Sequence, residues 1–398
     1  MIEFSLQCKF LSLYYNQEKR CLTIKHVITE SDGMKFVNTE NLKTGMRIAR
    51  PIYNKKGVLL YDRDSKLTEG AISSIKNFGL IGIFILEPAE PCPPMSDEDI
   101  EFERFQTVQV YAIEEELREI INSKRTKKID TIVAAIVKGY GHLNHKINFT
   151  QNLRSKEDFV YKHSLNLAIL CALMCHKMNV LVEEFNDCIT ACLVHDIGKL
   201  MIPDSVLRSA SEEELEGIYE ASQANGFDFI ESVFSANPNI KRTCYQTYKT
   251  LQEFKAGQIS DKIKLVTGAR IMIVAETFDS LTAMSAAGEP QSEVKALRYL
   301  LDHPEIYNKK AVEALVDSIN FLAPGTSVEL TSGEKALVIS VNPYDILRPM
   351  VLVFSTNEII DLSNRRLFDD LDIADIMKTM DNRYIMDEEA LKKYGIGN

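Results

Sequence analysis

The run His195-Asp196-Ile197-Gly198-Lys199 sets an imidazole beside a carboxylate, with a primary ammonium close by. Imidazole and carboxylate together suit a hard or borderline divalent ion, and the Lys199 ammonium can act as a point charge on a phosphate oxygen. The trio therefore implies phosphate chemistry, with Asp196 and Lys199 as its catalytic candidates. A second imidazole, His163, lies upstream. Taken alone, His163 reads as a core histidine hydrogen-bonded to a backbone carbonyl. Paired with a downstream His-Asp, it becomes a candidate metal ligand.

Two helices must position these groups. Residues 183–195 (EEFNDCITACLVH) place Phe185, Cys188, Ile189, Cys192 and Leu193 at helical spacing, the pattern of a helix burying one face. Gly198 is expected to end that helix and Pro203 to keep it from resuming. His195 and Asp196 then sit on its last turn, and Lys199 on the turn that follows. In residues 157–176 (EDFVYKHSLNLAILCALMCH), His163 opens a strongly apolar helix that could run beside the first.

The rest of the chain reads as support. Residues 34–90 form a small α/β unit: a strand at Val58-Leu59-Leu60, a helix capped by Thr68 and ending before Gly79, and a strand at 81–86. Prolines mixed with acids in PAEPCPPMSDEDIEFE (88–103) mark a linker, given the bounds 91–105. Gln106 to Asn122 and Lys128 to Tyr140 have helical periodicity without chemistry. His142 and His145 follow Gly141 in a loop or helix end and receive no site role. Further on, SEEELEG is read as a solvated first turn capped by Ser211, leading into an apolar helix around Ile230 and Phe234. After Pro324 two strands are expected to meet at Ser332-Gly333, with a third at MVLVFST.

The predicted fold is thus mainly α: an all-helical core over 106–322, flanked by the α/β domain at 34–90 and a short C-terminal β-rich segment at 323–371. Residues 1–33 are an N-terminal extension, either read from an upstream start codon or folded as a short hairpin. Residues 372–398 are an acidic helical tail suited to protein contacts.

Composition narrows the function classes. With 398 residues, 45% of them hydrophobic and 26% charged, the chain is too long for one core and ordinary for a globular protein. A net charge of −11 argues against broad binding to DNA or to an anionic membrane. The longest apolar stretches, such as LNLAILCALMC, are about half the ~20 residues that a transmembrane helix needs. Eight cysteines occur without a CxxC pair or secretory signal, which fits a cytoplasmic protein. Cys171 and Cys175, like Cys188 and Cys192, are four apart in apolar helices and read as buried thiols acting as small hydrophobes.

The stretches YKHSLNLAILCAL, LVHDIGKLMIPDSVL and ARIMIVAETFDSLTA resemble, in this order, three signature segments of the HD-superfamily phosphohydrolases, in particular the HD-GYP branch that degrades cyclic di-GMP. Residues 38–87 look like the small N-terminal domain common in such proteins, and 321–371 like the β-rich segment that often follows the catalytic core. The resemblance implies an HD-domain helical core with His163, His195, Asp196 and Glu276 as metal ligands. Glu276 stands where the family carries an aspartate, and Asp279 is the alternative acid facing the site.

The departures bear on activity. The family's second cluster, two adjacent histidines and an acid before a Gly-Tyr-Pro segment, belongs between Ser232 and Lys262. That region instead reads CYQTYKTLQEFKAGQ, and no histidine occurs from Ile197 to Asp302. A further family histidine corresponds to Ser222. The surviving ligands suffice for one divalent ion (Mn, Fe or Mg) rather than two, unless Cys244 or Glu253 replaces a lost histidine. With one ion the attacking water is less acidic and the leaving alkoxide less stabilised, so a phosphodiester turns over slowly or not at all. Lys199 and Arg270 complete the phosphate contacts. Arg270 reads equally well as half of a structural ion pair.

Three functions follow. The first is a diverged cyclic di-GMP signalling protein with a residual metal and nucleotide site. The second is an active metal-dependent phosphohydrolase on an easier phosphate ester, and the third a non-catalytic scaffold. The resemblance adds cyclic di-GMP or another nucleotide, a protein partner and a homodimer as expected associations.

Overall fold

The computed structural model describes residues 34–377 apart from 54–55, 57, 78–81, 87–95, 152–153, 155–157, 211, 259–263 and 284–289. Its contacts divide into a helical unit, Glu101–Ile319, and a second unit that takes in Val58–Ile100 and the chain from Asn320 onward.

In the helical unit, α2 (Asp97–Ser123) and α3 (Ile129–Tyr140) precede α4 (Phe159–Lys177) and α5 (Val182–Val194). Two short helices follow, α6 (Ile197–Leu200) and α7 (Asp204–Ser209). Then come α8 (Glu212–Val233), α9 (Pro238–Lys255), α10 (Thr267–Thr282), α11 (Glu293–Asp302) and α12 (Lys309–Val316). Every residue of α4 from Leu165 to Cys175 is buried, as is Gly268–Ala275 of α10 apart from the half-buried Arg270. Helices apolar all round belong in the middle of a bundle. Accordingly α4 packs on α5, α10 and α12, while α9 lies against α5 and α10.

The helix α2 starts at Asp97, well inside the stretch expected to be a linker up to residue 105. Ser96 explains the early start: its hydroxyl accepts the Asp99 N–H at 3.1 Å, and Asp99 Oδ2 accepts the Ser96 N–H at 3.3 Å, a reciprocal cap. Farther along α2, the buried Glu116 carboxylate accepts the N–H groups of Lys127, Lys128 and Ile129 and so caps α3.

Gly198 does not end α5. The helix stops at Val194, and Gly198 lies inside the single turn of α6. The glycine is needed for close approach instead: a Cβ there would lie 2.0 Å from the Ser222 carbonyl oxygen of α8. Backbone meets backbone at this crossing, which seats the turn carrying Asp196 and Lys199 against α8. The Ser211 cap lies outside the described residues.

In the second unit, β1 (Met34–Asn38), β2 (Arg47–Ile48) and β5 (Gly82–Leu86) form an antiparallel sheet in the order β1-β5-β2. β3 (Ile52–Tyr53) pairs with β4 (Leu59–Tyr61), and α1 (Glu69–Asn77) begins at the expected Thr68 cap. Ile48, Leu67, Ala71, Ile75, Ile83 and Ile85 share one small core.

The C-terminal sheet runs β10-β6-β7-β8-β9, with β6 (Ser327–Leu330), β7 (Lys335–Ser340), β8 (Met350–Val353), β9 (Glu358–Asp361) and β10 (Ile373–Ile376). Its buried face alternates through Val328, Leu330, Ala336, Val338, Val351 and Val353. The expected turn is at Gly333, whose φ of +83° favours glycine. The tail expected to be helical from residue 372 instead opens with β10. Ile373 is buried opposite Leu330 and closes an edge of β6 that would otherwise present unpaired backbone. Arg348 Nη2 pins the approach to that strand by donating to the carbonyls of Phe368, Asp369 and Leu371.

Candidate metal centre

Three helix segments bring the predicted ligands together. His163 lies on the second turn of α4, His195 and Asp196 follow α5, and Glu276 lies on α10. His163 Nε2 is 3.2 Å from His195 Nε2 and 3.0 Å from Glu276 Oε2. His195 Nε2 is in turn 3.6 Å from both Glu276 Oε2 and Asp196 Oδ2.

The hydrogen positions follow from what lies behind each ring. His195 Nδ1 faces the Cys192 carbonyl at 2.8 Å, an oxygen that only accepts, so Nδ1 carries the hydrogen. His163 Nδ1 faces Asp279 Oδ2 at 2.7 Å. Burial opposes ionisation of Asp279, but Arg154 and His163 outweigh it and hold the carboxyl well below the usual carboxylate range, so it too accepts. Both Nε2 atoms therefore present lone pairs inward.

Glu276 and Asp196 are ionised as well. Burial pushes the Glu276 carboxyl up, and His163 and His195, when protonated, more than offset that. For Asp196 burial is again opposed, here by Lys199 and the two histidines, and its carboxyl also stays well below the usual range. Burial pushes His195 itself down despite Asp196 and Glu276, so its ring is neutral near pH 7. Donor atoms of His163, His195 and Asp196 lie within 4.8 Å of one another, Glu276 Oε2 lies within 3.6 Å of both imidazole Nε2 atoms, and that buried oxygen accepts no hydrogen bond. With both rings neutral, the pull that protonated His163 and His195 exert on the two carboxyls is gone, and a cation among the donors would take its place. Two imidazoles and two carboxylates fit a hard or borderline divalent ion completed by water.

Behind the donors lies a buried network the sequence reading missed. Arg154 Nη2 pairs with Asp279 Oδ1 at 2.5 Å, both side chains fully buried. Gln151 donates to Asp279 Oδ1 at 3.0 Å and accepts from Arg154 and from Asn166. Asn166 follows His163 by one turn on α4, and Thr282 follows Asp279 by one turn on α10. Those isolated polar positions in apolar helices were the available signal. Gln151 and Arg154 lie outside regular helix and gave none.

Glu276 therefore takes the inner position and Asp279 the outer one. Lys199 Nζ sits 2.7 Å from Asp196 Oδ2, half-buried. The other oxygen, Asp196 Oδ1, accepts from Gln223 Nε2 at 2.7 Å, while the neighbouring Ser222 hydroxyl turns back to the Tyr219 carbonyl of its own helix. Arg270 points to Thr267 Oγ1 at 3.4 Å within α10, and its buried Nε has no hydrogen-bond partner. Neither substitute ligand joins the cluster: Cys244 Sγ lies on the Ala191 carbonyl, and Glu253 pairs with Lys249.

A family model described as HD domain matches residues 160–276, the segment from the start of α4 to Glu276. This region is an HD domain. Cyclic di-GMP phosphodiesterase PA4108 of Pseudomonas aeruginosa is 20% identical over 230 residues, covering 57% of this chain and 54% of that protein. The chain spans about half the length of that relative. Bd1817, a HDG"Y"P protein from Bdellovibrio bacteriovorus, matches in structure with a TM-score of 0.42 and 15% identity, covering 71% of this chain and 98% of that one. Among the described residues, no helix is long and apolar enough to cross a membrane.

Proposed function

We propose that this chain is a diverged HD-GYP-like protein of cyclic di-GMP signalling that keeps a one-ion metal and phosphate site and has weak or no phosphodiesterase activity. The observation that carries this reading is the convergence of His163 Nε2, His195 Nε2, Asp196 Oδ2 and Glu276 Oε2, with both Nδ1 atoms committed elsewhere. A divalent ion in that position would polarise a phosphoryl oxygen and acidify a bound water. The Asp279 and Cys192 acceptors hold the two imidazoles in register, and Arg154 keeps Asp279 charged. Gln223 caps the remaining Asp196 oxygen with a neutral amide, which supports one ion rather than two. Lys199, paired with Asp196 Oδ2, is the proposed contact for a substrate phosphate.

The curated relative is by name a cyclic di-GMP phosphodiesterase, so that dinucleotide is the first ligand to test. Purified protein supplied with manganese or ferrous iron is assayed for hydrolysis of cyclic di-GMP and of nucleoside monophosphates, beside the His195→Ala/Asp196→Ala double variant. One bound ion per wild-type chain, absent from the variant, with little or no dinucleotide turnover is expected. Rapid dinucleotide turnover that vanishes in the variant would overturn the loss of activity. Turnover of monophosphates alone would favour a working single-ion phosphohydrolase, for which the placement of Lys199 is the supporting observation. Equal metal content in both proteins would overturn the site.

A further inference from the structure

Three of the four cysteines carried by α4 and α5 meet at one place in the core. Cys171 and Cys175 are one turn apart on α4, Cys188 and Cys192 one turn apart on α5, and residues so spaced share a helix face. The two faces are turned toward each other. The Sγ atoms of Cys171, Cys188 and Cys192 lie within 4.8 Å of one another, and Cys175 stands one turn along α4 from Cys171. None is in a disulfide, and all are buried. Cysteines serving only as small apolar residues have no reason to gather, since alanine or valine fills the same space.

Sulfur ligands at about 2.3 Å from a metal stand roughly 4 Å apart in trigonal or tetrahedral geometry. The observed spread needs a contraction of well under a bond length. We propose that Cys171, Cys188 and Cys192, with Cys175 as a fourth or supporting thiol, form a binding site for a thiophilic d10 cation, copper(I) ahead of zinc(II). Thiolate sulfur selects soft ions of this class over the hard ions suited to the His-Asp cluster. Copper(I) stands first because it accepts two or three sulfur ligands, whereas a zinc(II) site is tetrahedral and needs Cys175 as the fourth. On uptake the S–H bonds of the ligating cysteines break, metal–sulfur bonds form and the protons pass to solvent, with no change of oxidation state. The burial implies that the ion enters during folding or local opening.

This site is separate from the function proposed above. The full chain with Cys8, Cys21 and Cys92 changed to serine is refolded anaerobically with copper(I) or zinc(II). Bound metal is then counted by elemental analysis, and its ligands are read by X-ray absorption. One ion per chain with sulfur-only ligands is expected, kept in the His195→Ala/Asp196→Ala variant and reduced at least tenfold in Cys188→Ala. No uptake of either ion, nitrogen or oxygen ligands on the bound metal, or undiminished uptake in Cys188→Ala would overturn the proposal. Should Cys188→Ala fail to fold, the ligand identity in the unsubstituted site decides alone.

Discussion

His163 Nδ1 lies 2.7 Å from Asp279 Oδ2 on one side of its ring, while Nε2 lies 3.0 Å from Glu276 Oε2 on the other. Two acids three residues apart on α10 thus clasp one imidazole, the outer fixing its tautomer and the inner facing the site. Asp279→Asn removes the partner of the buried Arg154 as well as the anchor of His163. Breaking a buried pair from one side costs roughly 3–5 kcal/mol, and loss of such an anchor lowers metal affinity about 10–100-fold. Urea unfolding and metal titration should register both.

Glu276→Gln separates repulsion from folding. The amide offers an N–H toward the imidazole lone pairs that Glu276 Oε2 now opposes. In chelator the variant should unfold about 1 kcal/mol later than wild type, the value of a new hydrogen bond. Added manganese should stabilise wild type and leave the variant nearly unmoved. A variant less stable than wild type in chelator would contradict the charge arrangement.

Gly198→Ala and Gly226→Ala test the crossing of α6 and α8. The first drives a Cβ to 2.0 Å from the Ser222 carbonyl oxygen, the second to 3.1 Å from the Gly198 backbone. Gly226→Ala should cost about 1–3 kcal/mol, and Gly198→Ala more than that. Thermal denaturation with the order reversed would refute the contact.

Stability should fall on mild acidification. Burial holds His195 below its ordinary 6.5 in the fold. Below about pH 6.5 the unfolded chain therefore takes up a proton that the folded chain resists. Its stabilising contribution is complete above that pH and is lost as pH drops toward the folded value. Urea unfolding in chelator from pH 8 to 5 should show this decline, and His195→Gln should flatten it.

The sequence by itself determined the apolar helices, the adjacency of His195 and Asp196, the Thr68 cap and the Gly333 turn, because each depends on residues within a turn or two of one another. It also located His163 and Glu276 as partners, through motif resemblance. Only the tertiary structure decided that Glu276 faces inward and Asp279 outward, since a helix offers both acids and the packing angle of α10 selects between them. The same holds for Arg154, Gln151 and Gln223, whose partners lie on other elements. Gly198 resembles a helix stop in sequence because its actual constraint, the backbone of α8, is remote along the chain. Cys171, Cys188 and Cys192 belong in sequence to two ordinary i, i+4 pairs, and only the packing of α4 on α5 turns their thiols toward each other.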